Sequence, residues 1–374
     1  MLTEYFPSSK NIDVRGGVEM RAFYIAKHLS RNHNVTVFAT KEKNKPRQQK
    51  IDNILIYRLG LERNYSRLEN LIPRLIFIAR AIQKGFELDF DLIEGSSYIG
   101  WLPTVILSRI KNKPSILLVA DLINAYATDL PTFVFKPAWL LEKLILFYSN
   151  AQLICISKQV KKKVESLGIS SKRIKVIYCG VDVEKIKKIT TQNKIYTLCS
   201  IARLVPYKRV ADLIKAITLL KEDFPRINCV IIGDGEMMKP LKELTKKGKL
   251  TKQIFFKGFL KKYENLIRIL KQTKIFCLPS IVEGFGIATI EALVTGTPAV
   301  IADIPINHEI TQNKGVLFFK PCNPVDLARK ISLLLQKSAR YTALCQQTGN
   351  ISLRYNWQKI ADETEKFYAY LCTH

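Results

Sequence analysis

LPSIVEGFGIATIEAL, residues 278–293, reads as a strand end, a glycine loop and a helix start in immediate succession. Leu278-Pro279-Ser280 closes an apolar run that begins at Lys274. Glu283 follows in the loop, then Gly284-Phe285-Gly286, then a helix that contains Glu291. Glycine lets backbone N–H groups approach a ligand closely. The helix start adds unpaired donors and the positive end of the helix dipole. Together these make a diphosphate-binding device at the carboxyl end of a strand, where open α/β sheets bind ligands. Glu291 lies about two helical turns beyond Glu283, so both carboxylates can face one cleft. Carboxylates suit sugar hydroxyls because they accept two hydrogen bonds at once. A strand–turn–helix with a capping glutamate is the plainer alternative, and the second glutamate weighs against it.

The same rhythm of apolar run, loop and amphipathic helix extends both ways. Downstream of residue 194, strands are expected at 196–203, 228–235, 253–259, 274–280, 297–303 and 316–321. Helices fall near 209–222, 236–246, 263–271, 286–295 and 324–337. Upstream, NVTVFAT (34–40), FDLIEGS (90–96), SILLVAD (115–121), AQLICIS (151–157) and KVIYCG (175–180) are strands. Helices are expected near 17–31, 98–111, 135–149 and 158–167, with Ser157 capping the last and Gly168 ending it. Strands alternating with helices predict parallel sheets covered on both faces. The lysine-rich stretch Glu184 to Lys194 reads as a linker. It separates a first α/β domain, residues 1–184, from a second, residues 190–352. Residues 356–374 form a long helix that can return to the first domain. MLTEYFPSS supplies only the end of a first strand, and a doubly wound domain would want several more apolar residues before Leu2.

Length and composition agree with two globular domains: 374 residues, 47% hydrophobic and 24% charged. The net charge is +27, from 59 Lys+Arg against 32 Asp+Glu. That favours anionic partners such as phosphorylated ligands or an anionic membrane surface. No arginine-rich arm or basic helix with interleaved aromatics stands out, which argues against nucleic acid. The apolar, basic stretch LIPRLIFIARAIQKGF (71–86) suggests reversible membrane binding, with an ordinary core-facing helix as the alternative. No apolar run reaches the ~18 residues of a spanning helix, and no signal peptide opens the chain. The expected location is cytoplasmic, or peripheral on the inner face of the cell membrane. Eight cysteines show no C-x-x-C pair and read as buried reduced thiols.

Three further segments carry chemistry. In SIARLVPYKR (200–209), Arg203 and Lys208 follow a strand end, and two cations there can neutralise a leaving diphosphate without a metal. In IIGDGEMM (231–238), Gly233-Asp234-Gly235 forms a βα turn but lacks the dinucleotide G-x-G-x-x-G fingerprint. Gly16-Gly17-Val18-Glu19 opens the first helix and could admit a second substrate. His28, His33, His308 and His374 have no Cys or carboxylate at a ligand spacing in sequence, so solvated or capping roles, no metal site and no cofactor are expected. No Walker A loop or G-x-S-x-G elbow is present.

In this order the segments resemble the retaining glycosyltransferases of family 4, which have the GT-B fold. The resemblance covers nearly the whole chain: TEYFPSS, GGVE, VTVFAT, DLIEGS, VIYCGVD (176–182), IARLVPYKR, IIGDGE, FKGFL (256–260), LPSIVEGFGIATIEAL, GTPAVIAD and NWQKIADETEKFY. It implies two Rossmann-like α/β/α domains facing each other across a cleft, with the C-terminal helix crossing back to the first. It implies transfer of a sugar from a UDP- or GDP-type donor to a glycan or lipid-linked acceptor, as in cell-surface polysaccharide or glycolipid synthesis, with retention and without a divalent metal. Arg203 and Lys208 would hold the diphosphate. Glu283 would contact the donor sugar beside the backbone of Gly284, Phe285 and Gly286, and Glu291 would bind the ribose hydroxyls. Phe259 and Leu260 would lie against the base, Gly233 and Gly235 would line the nucleotide pocket, and Gly16 and Gly17 would sit near the donor phosphates on the acceptor side.

The sequence departs from the family at two places. Members often carry a histidine just before an aspartate after the fourth strand of the first domain, and here that position reads Val119-Ala120-Asp121. The histidine of the strand at 90–94 is likewise Glu94. Either Asp121 takes over near the reacting sugar, or the cleft handles its acceptor differently, or activity is reduced. A nucleotide-sugar epimerase, a phosphorylase on the same fold and a non-catalytic nucleotide-binding partner subunit remain as rivals.

Overall fold

The structure is a computed structural model that describes residues 1–8, 16–63, 71–123, 132–191, 193–349 and 351–373. The chain divides into two compact units, Met1–Cys179 with Trp357–His374, and Gly180–Asn356.

The first unit contains, in order, α1 (Gly17–Leu29), β1 (Val35–Glu42), β2 (Gln48–Ile51), β3 (Ile54–Arg63), α2 (Leu71–Phe86), β4 (Ile93–Gly95), α3 (Tyr98–Lys111), β5 (Ser115–Val119), α4 (Thr132–Tyr148), β6 (Gln152–Cys155), α5 (Lys158–Glu165) and β7 (Ile174–Val176). Strands β4-β5-β6-β7 pair in parallel, and β1 pairs in parallel with β3. Leu2 joins the two sets through bridges to Phe38 of β1 and Gly95 of β4. Its N–H donates to the Glu94 carbonyl at 2.7 Å, and its carbonyl accepts from Ser96 N–H at 2.7 Å. Phe38 N–H donates to the Met1 carbonyl and Thr3 N–H to the Phe38 carbonyl, both at 2.9 Å, so residues 1–4 occupy the central strand position. Ser157 caps α5 by accepting from Val160 N–H at 3.1 Å, and Gly168 turns the chain at φ +91°.

The antiparallel hairpin β2–β3 is not legible in the hydrophobic pattern. Its outer strand is largely exposed, and its inner strand carries a fully buried Arg58 that breaks the alternation. The Arg58 guanidinium donates to the Pro7 and Pro46 carbonyls and to Gln49 Oε1. That is how a charge is accommodated at a core position.

The second unit runs α6 (Val183–Lys188), β8 (Tyr196–Ile201), α7 (Val210–Leu220), β9 (Cys229–Ile232), α8 (Met238–Lys247), β10 (Ile254–Gly258), α9 (Tyr263–Lys271), β11 (Thr273–Leu278), α10 (Ile287–Val294), β12 (Ala299–Ala302), α11 (Pro305–Thr311), β13 (Val316–Phe319), α12 (Pro324–Gln336), α13 (Ser338–Gln347) and α14 (Ile351–Arg354). The expected linker 184–194 therefore begins as helix, capped by Asp182, and belongs wholly to this unit. The sheet order is β10-β9-β8-β11-β12-β13, all parallel. This is the doubly wound order, with its reversal between β8 and β11. β9 and β12 are buried along their whole length, as a sheet covered on both faces requires. Leu198, Ile231, Ile275 and Val300 lie at the centre of the core. The final helix, α15 (Trp357–Thr373), returns to the first unit and packs on α1, with Trp357 stacked on Tyr24 at 5.0 Å.

Candidate functional site

In the second unit the predicted site residues come from four loops. Arg203 and Lys208 follow β8, Gly233 and Gly235 follow β9, Phe259 and Leu260 follow β10, and Glu283 to Gly286 follow β11. These are the four adjacent strands β10-β9-β8-β11. Because all run in one direction, their carboxyl ends gather the four loops on one edge of the sheet.

Backbone hydrogen bonds lace the loops together. Leu204 N–H donates to the Asp234 carbonyl at 2.9 Å, Met237 N–H to the Leu204 carbonyl at 2.9 Å, and Gly233 N–H to the Gly258 carbonyl at 2.9 Å. Glycine is compulsory at 233. Its φ is +134°, and a Cβ there would lie 1.8 Å from the Ala202 carbonyl oxygen.

The two loops on either side of the strand-order reversal are joined twice. Ile281 N–H donates to the Tyr207 carbonyl at 3.0 Å. Lys208 Nζ donates to Glu283 Oε1 at 2.5 Å, with the side chains 15% and 9% exposed. Two residues 75 apart in sequence therefore form a half-buried ion pair at the switch point. Arg203 is partly exposed, and its side chain makes no hydrogen bond or ion pair among the described residues. Gly286, at φ +86°, caps α10 from the left-handed region and turns the chain into the helix. The hydroxyls of Ser280 and Thr289, on either side of that turn, are buried without a partner among the described residues. Buried donors of this kind suit an anionic ligand at the helix start.

Glu291 is 4% exposed on α10. Burial pushes its carboxyl up to about 7, against a smaller downward pull from the Tyr263 hydroxyl. Tyr263 opens α9, 28 residues before Glu291, and no local sequence signal ties the two. Phe285 is the exception among the loop residues. Its ring is buried against Tyr355, with centroids 5.4 Å apart, so only its backbone can face a ligand.

Gly16, Gly17 and Asp121 belong to the first unit. Gly16 caps α1 in an extended conformation and Gly17 is its first residue. Asp121 follows β5 and is 2% exposed. It accepts from Lys163 Nζ at 2.7 Å and from Leu122 N–H at 2.9 Å. Its carboxylate is thus engaged in holding the loop after β5. Glu142, on α4, accepts from Ile123 N–H in the same loop, and burial pushes its carboxyl up to about 7. Glu94, at the position where the resemblance expects histidine, is paired with Arg21 at 3.2 Å, both almost inaccessible. Glu94 Oε2 and Arg21 Nε and Nη2 are left without partners among the described residues.

Three of the histidines have carboxylate neighbours in space, while His33 and His308 keep much of their exposure. His28 and His33 both contact Glu365, and His308 contacts Asp303. Sequence spacing misses the first two partners because they lie more than 330 residues away. His374 falls outside the described residues. Cys155, Cys229 and Cys277 are buried and free.

Residues 182–352 match the family described as glycosyl transferases group 1, and residues 15–185 match Glycosyltransferase Family 4. An uncharacterized glycosyltransferase of Methanocaldococcus jannaschii is 26% identical over 94% of each chain. A UDP-Gal:alpha-D-GlcNAc-diphosphoundecaprenol alpha-1,3-galactosyltransferase of Escherichia coli is 30% identical over 47% of this chain and 49% of its own. The structure of Anabaena HepE in complex with UDP and glucose superposes with a TM-score of 0.78 at 17% identity, covering 98% of each chain.

Proposed function

For a chain that belongs to the family 4 type of glycosyltransferases and has the GT-B fold, we propose a retaining transfer of sugar from a nucleoside-diphosphate donor, with no metal at the diphosphate. The observation that carries this reading is the Lys208–Glu283 pair at the switch point of the second sheet. It sets a cation and a carboxylate side by side at a helix start. A donor has the matching pair of groups, a diphosphate and a sugar bearing hydroxyls. On binding, Lys208 exchanges Glu283 for the diphosphate, and the freed carboxylate accepts from sugar hydroxyls. Arg203 and the N–H groups at the start of α10 add positive potential where the leaving diphosphate gains charge. Glu291, ionised by the hydrogen bonds it accepts, holds the ribose hydroxyls. The named ligands of the galactosyltransferase and of HepE favour UDP as the nucleotide.

The acceptor of the galactosyltransferase is lipid-linked, and a lipid-linked glycan is the acceptor we assign here. The surface of the first unit supports an encounter with an anionic membrane. α4 exposes Leu140, Leu141, Leu144, Phe147 and Tyr148, a helical stripe, and α2 exposes Ile72, Leu75 and Phe86 while burying Phe77 and Ala81. With a net charge of +27, such a surface is attracted to acidic headgroups. No helix among the described residues is long and apolar enough to cross a membrane. Failure to co-sediment with anionic vesicles at low salt removes this part of the reading.

A thermal-shift screen with UDP, GDP, ADP and their sugars tests the donor site. A nucleotide at ~100 times its dissociation constant stabilises the fold by roughly 2.7 kcal/mol. The shift is expected to vanish in Glu291→Ala and Lys208→Ala, and an unchanged shift in both refutes the site. A protein that binds UDP yet turns over no donor with any acceptor extract is a partner subunit instead, a reading that the engaged Asp121 keeps open.

A further inference from the structure

At the carboxyl end of α1, His28 and two carboxylates of α15 bring three potential ligand atoms of one metal ion together. His28 Nε2 lies 2.9 Å from Glu365 Oε2 and 3.3 Å from Asp362 Oδ1. All three atoms lie within 4.8 Å of one another. An ion bound tetrahedrally at about 2.0–2.2 Å sets its ligand atoms roughly 3.3–3.6 Å apart. The two spacings from His28 Nε2 therefore need to open by no more than about 0.7 Å.

The surroundings add the supports that metal ligands ordinarily have. Glu365 Oε1 accepts from His33 Nε2 at 2.7 Å, which fixes the carboxylate and leaves Oε2 directed at His28. Gln358 sits against His28 Nδ1 at 3.2 Å. Turning that amide over puts its oxygen on Nδ1–H and selects the tautomer whose Nε2 lone pair is free to ligate. The turn gives up an exposed contact with Arg31 and the hydrogen bond that Gln358 Nε2 donates to Asp362 Oδ1 at 3.0 Å. His28 is 10% exposed at its side chain, Glu365 26% and Asp362 48%, so the site is shielded from below and open to solvent from above. Imidazole and carboxylate ligands together suit Zn²⁺ and its neighbours rather than Mg²⁺ or Ca²⁺.

We propose that His28, Asp362 and Glu365 bind one first-row transition-metal ion of the Zn²⁺ class, with His33 as the positioning residue for Glu365. A solvent molecule completes the coordination. The ion clips α15, the last helix of the chain, to α1. It takes no part in sugar transfer, so the inference stands apart from the reading of the donor site.

The test uses the full chain, stripped with chelator, desalted and kept reduced. Titration with Co²⁺ is expected to saturate at a single equivalent, with visible d–d bands of tetrahedral intensity and no thiolate-to-cobalt charge transfer, and Zn²⁺ is expected to displace it. Zn²⁺ also raises the unfolding temperature. His28→Gln weakens binding by at least about tenfold. The exposed Asp362→Asn does the same without threatening the fold, and His308→Gln changes nothing. Two results overturn the proposal: no binding at about 100 μM metal, or binding that both the His28 and the Asp362 variants leave intact. In either case the cluster is an ion-pair network without an ion.

Discussion

Replacing Glu283 by Gln separates the two halves of the donor site. In the free protein the Lys208 ammonium is held by Glu283 Oε1 at 2.5 Å, with both side chains largely withdrawn from water. A diphosphate must compete with that carboxylate for Lys208, and it must also approach a fixed negative charge. A hydrogen bond to a charged partner contributes about 1.5–3 kcal/mol. Glutamine still accepts from Lys208, but as a neutral group, and it removes the repulsion. UDP, which has no sugar, should therefore bind the variant more tightly by roughly 10- to 100-fold, up to about 3 kcal/mol. The nucleotide-sugar gains less, because the neutral amide is a poorer acceptor for its hydroxyls, and turnover falls. Calorimetric titration of UDP and of a UDP-sugar into both proteins reads the two affinities. The unfolding temperature of each free protein checks the fold. UDP affinity that is unchanged or weaker in a folded Glu283→Gln protein would refute the competition and, with it, the placement of the diphosphate on Lys208.

Glu291 gives a pH signature. Its carboxyl is raised from 4.5 to about 7 by burial, so the folded free protein holds this proton more tightly than the unfolded chain. The resulting stabilisation is complete below the ordinary carboxylate range and is lost as pH rises through about 7. Ribose hydroxyls favour the ionised form, so UDP-sugar affinity should rise with pH up to that value, and binding at pH near 6 should release a proton. Titration in buffers of different ionisation enthalpy measures the release, which Glu291→Gln should abolish. Arg203→Ala should lower kcat by about 10²–10³ while leaving the unfolding temperature nearly unchanged, because the Arg203 side chain makes no hydrogen bond or ion pair among the described residues. A matching loss of stability would assign it a structural role instead. Gly233→Ala should lower the unfolding temperature by several degrees or prevent folding, because the added methyl meets the Ala202 carbonyl at 1.8 Å. A variant as stable as the parent would show that the turn can move.

Much of this protein was legible in its sequence because the relevant physics is local. The helices at 98–111 and 263–271 lie where the periodicity puts them, and the glycine turn before Glu291 announces itself by composition. Strand ends carry the site loops in any doubly wound sheet, so the positions of Arg203, Lys208, Gly233 and Glu283 follow from the rhythm of strand and helix. What the tertiary structure alone decided are contacts between segments that the sequence does not order. The strand order places β8 beside β11 and so brings Lys208 to Glu283. The same folding directs Lys163 onto Asp121, turns the Phe285 ring into the core, and pairs Arg21 with Glu94. It also carries α15 back to α1, which brings His28 to a carboxylate 337 residues away. Periodicity and turn chemistry act over a few residues, whereas a side chain's partner is set by which elements the core packs side by side.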